Sequence, residues 1–180
     1  MSHVPSLQSR VVRLDNARYT GGARLWRDID LIVLHCTAGD SARSSMDWMN
    51  RSGSTNKTSY HYIVDRNGII YRMCAPLLTA YHAGDSAYPA HPESNHQGTS
   101  VNRRSLGIAW ANRNDGEPLT EKQIESGLWL CALYCRGTNT SIPIDRVVGH
   151  CEVSPGRKSD PRPAMDMDTW REKLAEYLTI

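Results

Sequence analysis

The hydrophobic positions of the chain alternate between short aliphatic runs and stretches with helical spacing, a pattern that predicts a mixed α/β fold. The clearest run is 31–34, where four consecutive aliphatic residues lie between charged residues and a Thr-Ala-Gly segment, so we predict a fully buried strand there. Two more buried strands are predicted at 106–111 and at 147–148. Between 60–64 and 69–73 an Asn-Gly pair favours a tight turn, which predicts two antiparallel strands in a β-hairpin.

Helical spacing predicts three helices in other parts of the chain. Residues 41–51 have the apolar positions Met46, Trp48 and Met49, with Asp40 or Ser41 as the N-cap. Residues 120–137 open with Thr-Glu-Lys-Gln, which has the form of a capping box, and this helix should be the longest. A final amphipathic helix is predicted from about Asp168.

The remaining segments are polar and lack a sustained period. Residues 1–27 carry only scattered valine and leucine, and Tyr-Thr-Gly-Gly at 19–22 predicts a loop, so we expect an N-terminal arm packed on the domain. Residues 79–104 predict a long loop, and we expect it to form the rim of a binding site. The expected architecture is one α/β domain over 28–180, with a mixed β-sheet flanked by helices.

Composition narrows the class of partner and the compartment. The formal net charge of +2 is too small to predict nucleic-acid binding, although it is compatible with an anionic cell-wall polymer. Five cysteines without a CxxC pair favour buried thiols in a reducing cytoplasm over a disulfide framework. We expect no signal peptide and no membrane insertion, because the N-terminus has no secretory signal and no apolar run reaches 18 residues. We also expect a monomer.

Three side chains with metal-binding chemistry follow predicted strands or lie in a stiff loop. His35 and His150 each stand where a buried strand is expected to end, which is where open α/β sheets place their chemistry. Asp160 follows in a loop that Pro155 and Pro161 stiffen, so that loop could hold two ligands at a fixed separation. The alternative is that these are structural side chains, since a lone histidine after a strand is more often structural than metal-binding.

Four segments, taken together, resemble the zinc-dependent N-acetylmuramoyl-L-alanine amidases, the type 2 family that includes phage endolysins, bacterial recycling amidases and peptidoglycan recognition proteins. The resemblance extends over about 30–178. The segments are Leu-His-Cys-Thr-Ala-Gly at 34–39, Ser-Tyr-His-Tyr-Ile-Val-Asp-Arg-Asn-Gly at 59–68, Tyr-His-Ala-Gly at 81–84 paired with Ser-Leu-Gly-Ile at 105–108, and the loop 150–160. The resemblance implies a peptidoglycan recognition protein/amidase-like fold.

The resemblance also implies a set of roles for individual residues. It supports His35, His150 and Asp160 as ligands of a Zn²⁺ ion with one open position for water. Lys158, two positions from Asp160, could stabilise the oxyanion, and its alternative interpretation is an ordinary solvated lysine. Tyr60 is implied to assist proton transfer, and its alternative interpretation is a packed tyrosine of the hairpin.

Two further residues are expected to bind substrate, and one position departs from the family. His82 of Tyr-His-Ala-Gly and Asn102 are the expected substrate-binding residues. Many recycling amidases carry a general-base glutamate after Ser-Ile-Gly-Ile, whereas this chain has Ala109 there. We therefore expect the catalytic task to fall to Tyr60 and Lys158. Other carboxylates that could replace the glutamate are Glu93, Glu117 and Glu152.

The resemblance implies hydrolysis of the amide bond between N-acetylmuramic acid and the L-alanine of the stem peptide. The loss of the glutamate favours a phage endolysin, which would be made in the cytoplasm and reach the cell wall after release by a partner holin. A cytosolic muropeptide-recycling amidase and a non-catalytic peptidoglycan-binding module are the alternatives within the family. A metal-free hydrolase built on Ser or Cys with His is the alternative outside it.

Overall fold

A computed structural model of the chain describes residues 7–53, 55, 57–89, 99–137 and 139–179. It contains short strands, helices and single turns of 3₁₀ helix. The strands are Val11–Arg13 (β1), Thr20–Ala23 (β2), Leu31–Cys36 (β3), Tyr62–Val64 (β4), Ile70–Arg72 (β5), Leu78–Ala80 (β6), Ser105–Trp110 (β7) and Val147–Gly149 (β8). The helices are Ala42–Met49 (α1), Val101–Arg104 (α2), Glu121–Cys135 (α3), His150–Val153 (α4) and Met167–Tyr177 (α5).

Six of the strands form one mixed sheet in the order β1-β5-β4-β7-β3-β8. The β4–β5 pair is antiparallel and the other four pairs are parallel. β2 and β6 form a separate antiparallel pair. The expected mixed sheet in an α/β domain is therefore confirmed.

The two faces of the sheet have different functions because side chains alternate along a strand. Every residue of the central strands β3 and β7 is buried. On one face, Ile32, Leu34 and Trp110 pack with residues of α3 and α5 in the largest apolar cluster. The other face carries Leu31, Val33 and His35, and the functional site lies on this face.

The predicted hairpin and helix starts are confirmed. β4 and β5 pair across the Asn-Gly turn, where Gly68 has a φ of 83°. The Thr120 hydroxyl accepts the Gln123 N–H at 3.1 Å and the Gln123 side chain accepts the Thr120 N–H at 3.1 Å, so the capping box forms as expected. Ser41, one of the two candidates, is the N-cap of α1.

Two predicted loops were wrong in part. Residues 19–22 were expected to be a loop, but Thr20–Ala23 is a strand that pairs with Leu78–Ala80. The expected loop 79–104 begins within that partner strand and ends with the helix Val101–Arg104. The two strands were missed because each receives its hydrogen bonds from a partner far away in sequence, which local composition does not reveal. Residues 90–98, from the middle of this loop, lie outside the described residues.

Two further properties concern the cysteines and the length of the helices. All five cysteines are free thiols, and Cys36, Cys74 and Cys131 are buried. Within the ranges that the structure describes, each helix is too short or too polar to reach across a lipid bilayer.

Candidate functional site

His35, His150 and Asp160 converge at the end of strands β3 and β8. His35 lies near the end of β3, His150 directly follows β8, and Asp160 lies in the loop after α4. His35 Nδ1 is 3.1 Å from His150 Nδ1 and 3.2 Å from Asp160 Oδ2, and His150 Nδ1 is 3.2 Å from the same oxygen. Ligands at about 2.0 Å from a tetrahedral zinc ion stand roughly 3.3 Å apart, so this triangle has the size of one face of such a site.

The hydrogen-bond partner of His150 indicates which of its ring nitrogens can bind a metal. His150 Nε2 lies 3.1 Å from the carbonyl oxygen of Ala83. A carbonyl only accepts, so Nε2 is the nitrogen of His150 that carries a proton here, which leaves the lone pair of Nδ1 for a metal. That lone pair points into the triangle.

His35 is neutral near pH 7. It is buried, and burial lowers its pKa to about 4 because the charged imidazolium is poorly solvated there. Although burial raises the pKa of Asp160, its contacts with His150 and His35 lower that pKa below its ordinary value, so the carboxylate is ionised. Two imidazoles and a carboxylate thus converge, and this donor set fits Zn²⁺.

An open cavity of about 660 Å³ lies against the triangle. A second cavity, of about 390 Å³, runs along α1 and shares part of its lining with the first. The two together form a groove that extends from the candidate metal centre past the half-exposed Trp48. The shared lining residues are Thr37, Ala38, Trp48, Thr58 and Tyr60.

Tyr60 lies beside His35 and faces both cavities. Its ring centroid is 5.0 Å from that of His35. Tyr60 and His35 are both buried, and burial raises the pKa of the phenol well above its ordinary value. Near pH 7 this side chain therefore keeps its proton and can donate a hydrogen bond.

The other predicted site residues also line the larger cavity. Lys158 is exposed on its rim. Asn102 and His82 are both in the lining, but they make contacts within the protein. The Asn102 side-chain oxygen accepts the backbone N–H groups of His82 at 3.0 Å and Ala83 at 2.8 Å. The His82 ring contacts His35 and Ser105.

Ala109, where many recycling amidases have glutamate, is directly beside His35 in the pairing of β7 with β3. Its methyl group belongs to an apolar cluster with Tyr60, Ile63 and Met73. Among the described residues, this cluster contains no carboxylate that could replace the glutamate.

Of the three glutamates considered as replacements, two are held by arginines. Glu117 pairs with Arg66, and Glu152 pairs with Arg171 while it accepts the N–H of Gly149 at 2.7 Å. Neither glutamate lines the larger cavity. Glu93 lies outside the described residues.

Sequence reasoning gave no role to three residues that the site contains. Ser105 contacts His82 from the start of β7. Arg157 contacts the carbonyl of Ala83 at 2.8 Å and lies on the cavity wall. Trp48 stands where the two cavities join. Ser105 and Arg157 had a signal, because they lie in two of the segments quoted for the resemblance, Ser-Leu-Gly-Ile and the loop 150–160.

Known proteins share both the sequence pattern and the fold. The chain is 32% identical over 114 residues to the 1,6-anhydro-N-acetylmuramyl-L-alanine amidase AmpD of Haemophilus influenzae, a match that covers 63% of this chain and 57% of that protein. The chain thus spans less than two thirds of the length of this curated relative.

Two solved structures illustrate the likeness of the folds. The amidase AmiD of E. coli, solved with anhydro-N-acetylmuramic acid-L-Ala-D-gamma-Glu-L-Lys, has a TM-score of 0.66 and 25% identity over 88% of this chain and 61% of that one. The amidase LysC of Clostridium intestinale has a TM-score of 0.64 and 20% identity over 92% and 97% of the two chains.

The family model described as N-acetylmuramoyl-L-alanine amidase matches residues 25–163, which is most of the chain. This range includes the whole triangle of candidate ligands and the strands that carry it. The chain therefore belongs to the N-acetylmuramoyl-L-alanine amidase family.

Proposed function

We propose that this protein is a zinc-dependent hydrolase of the amide bond between N-acetylmuramic acid and the L-alanine of the peptidoglycan stem peptide. The observation that carries the proposal is the triangle of His35 Nδ1, His150 Nδ1 and Asp160 Oδ2 at the end of the groove. Membership in the amidase family supports the same reaction.

The three ligand residues would hold the ion on the cavity wall and leave one side of it facing the groove. When bound, zinc supplies a water nucleophile near neutral pH and polarises the scissile carbonyl. The ammonium of Lys158 lies on the rim of the same cavity, where it can approach the carbonyl oxygen as that oxygen gains negative charge.

We assign Tyr60 a donor role. Because burial raises the pKa of its phenol, Tyr60 is a poor base near pH 7 and acts by donating its O–H into the groove. Its fixed position against His35 keeps this donor beside the candidate metal centre.

The rim of the groove suits the stem peptide. Lys57, Arg157 and Lys158 line the larger cavity and provide positive charge. The compound bound to the E. coli amidase contains a glutamate, whose carboxylate is a natural partner for such cations. We therefore propose that these cations bind the carboxylate of an acidic stem peptide.

The test is zinc binding together with amide cleavage. The metal-free protein, given purified peptidoglycan, should release no new L-alanine amino termini, and one equivalent of Zn²⁺ should restore release. Asp160→Ala should lose both zinc and activity. Asp145→Ala should keep both, because Asp145 is exposed and lies before β8, at the opposite end of that strand from His150. Zinc binding without cleavage would favour a non-catalytic binding module, and activity without metal would favour a Ser or Cys hydrolase.

We further propose that the protein acts as a phage lysis enzyme, reaching the wall after release through a holin. Ala109 in place of a general-base glutamate supports this assignment over a recycling role. The curated relative from Haemophilus influenzae bears a recycling-type name, so the two roles must be compared directly. Faster cleavage of intact sacculi than of soluble 1,6-anhydro muropeptides would support the lysis role, and the reverse preference would support recycling.

A further inference from the structure

One short segment, 101–105, supports both candidate zinc histidines. It contacts the side chain and the backbone of 82–83, and these in turn contact His35 and His150. The segment comprises helix α2 and the first residue of β7. The Ser105 hydroxyl is 3.1 Å from His82 Nε2, and His82 Nδ1 is 3.1 Å from His35 Nε2. The three polar groups are buried, so each contact requires a compatible donor and acceptor.

The contacts from Ser105 through His82 to His35 form a row, and the direction of each hydrogen bond in it follows from the bond that Ser105 makes to Val101. The Ser105 hydroxyl donates its single proton to the carbonyl oxygen of Val101, which can only accept. Ser105 Oγ must therefore accept from His82, whose proton is then on Nε2. With its proton on Nε2, His82 presents Nδ1 as the acceptor of the Nε2–H of His35.

The row ends at the candidate ligand atom. His35 donates through Nε2, which leaves the lone pair of its Nδ1 facing His150 and Asp160. The opposite tautomer of His35 would place a proton inside the triangle, where a cation has to bind.

The same segment supports the second histidine through the backbone. Asn102 Oδ1 accepts the N–H groups of His82 and Ala83 and so fixes this peptide. The carbonyl of Ala83 in turn accepts the Nε2–H of His150. Both contacts point the His150 lone pair at the same centre.

We propose that Ser105, His82 and Asn102 are positioning residues that fix the tautomers of His35 and His150 and thereby raise zinc affinity. This inference rests on the proposed function, because it assumes that the triangle binds zinc. It assigns His82 and Asn102 to the support of the metal centre, whereas the sequence suggested contact with substrate.

The first test reads the protons directly, by ¹H–¹⁵N correlation of the histidine rings in the zinc-loaded wild-type protein. The expected result is a proton on Nε2 of His35, His82 and His150. A proton on Nδ1 of His82 would overturn the proposed positioning role of Ser105 and His82, and it would leave the proposal that the triangle binds zinc untouched. A wild-type protein that binds no zinc would instead overturn the proposed function.

The second test measures zinc affinity by competition with a chelator. Ser105→Ala should weaken zinc binding by about 10-fold or more, because His82, the outer hydrogen-bond partner of the zinc histidine His35, loses the acceptor that fixes its tautomer. Ser126→Ala is the matched control, because its hydroxyl is equally buried and donates to the carbonyl of Gly68 at 2.7 Å in another part of the fold. It should leave zinc affinity unchanged.

A double-mutant cycle shows whether Ser105 acts through His82. In a His82→Gln background, Ser105→Ala should cost much less zinc affinity than it does in the wild-type protein. An equal loss in both backgrounds, or no loss in either, would overturn the proposal. Thermal unfolding of each metal-free variant separates loss of fold from loss of zinc affinity.

Discussion

Lys158 and Asp160 are close in sequence, but substitution of each is expected to have a different effect. Lys158→Ala removes a positive charge on the rim of the cavity and leaves the three ligand side chains in place. We expect unchanged zinc affinity and a kcat lower by about 100-fold, the size typical of losing one oxyanion donor. Steady-state kinetics on a soluble muropeptide measure this effect.

The control for this prediction is Lys122→Ala, which removes an exposed lysine from helix α3. It should leave kcat unchanged. An unchanged kcat in Lys158→Ala would refute its assignment to the oxyanion, and its alternative interpretation as a solvated lysine would then hold.

At the scale of single residues, chemistry and spacing indicated which side chains could meet. His35 and His150 were recognisable because each follows a run of aliphatic residues, and the stiff loop pointed to Asp160. The support of His35 by His82 and Ser105 was not predictable, since residues 35, 82 and 105 meet only in the folded chain. Tautomers depend on such contacts and leave no pattern in the sequence.

Strand β7 depends on a glycine for its fit to the site. A Cβ added to Gly107 would lie 2.5 Å from the ring of His82, so a methyl group there must displace that ring. We expect Gly107→Ala to weaken zinc binding by about 10-fold and to cost about 1–3 kcal/mol of unfolding free energy. Chelator competition and denaturant unfolding measure the two effects.

Gly22→Ala is the matched control on strand β2, because a Cβ at this position would have no neighbour within 4 Å. It should change neither quantity. If Gly107→Ala kept wild-type zinc affinity, the position of the His82 ring would be irrelevant to the metal centre.

At the scale of elements, prediction succeeded where local signals were sufficient. The aliphatic run of β3, the Asn-Gly hairpin and the capping box of α3 each carry their signal within a few residues. Strands β2 and β6 were missed because each is stabilised by the other, across more than fifty residues of sequence. Segments as short as Thr-Gly-Gly-Ala in β2 and Leu-Thr-Ala in β6 do not predict a strand by themselves.

The whole molecule should show a pH dependence set by its buried histidines. Burial lowers the pKa of His35 to about 4 and lowers those of His61 and His82 well below the ordinary value of 6.5. Between about pH 6.5 and pH 4 the unfolded chain therefore binds more protons than the folded one, so stability is lost as the pH falls through this window.

The measurement is the unfolding free energy of the metal-free protein at pH 7 and pH 5, where few unfolded carboxylates titrate. His35 alone should contribute a loss of about 2 kcal/mol at pH 5. His35→Asn should show a smaller loss between the two pH values than the wild-type protein. Equal stability of the wild-type protein at both would contradict the assignment of neutral, buried histidines.

The N-terminal arm, predicted as 1–27, contributes a buried side chain to the centre of the molecule. Arg24 is buried and donates to the carbonyls of Pro76, Asn102, Arg103 and Ser105. We expect Arg24→Ala to cost about 3 kcal/mol of unfolding free energy, because it leaves these buried acceptors unsatisfied. Denaturant unfolding measures this, and Arg27→Ala, at an exposed position, should cost much less.

A loss below about 1 kcal/mol in Arg24→Ala would mean that the arm adds little to the stability of the domain. The sequence indicated that the arm packs on the domain, but its polar composition gave no sign of a buried guanidinium. Long-range hydrogen bonds to backbone carbonyls are again the reason, since any residue can supply a carbonyl.

The most direct measurement is a crystal structure of the zinc-loaded protein with anomalous scattering data collected at the zinc edge. We predict a single zinc peak at about 2.0–2.2 Å from His35 Nδ1, His150 Nδ1 and an Asp160 carboxylate oxygen, with its fourth side open to the groove. A peak bound through Nε2 of either histidine, or no peak within reach of these three side chains, would contradict the proposed metal centre.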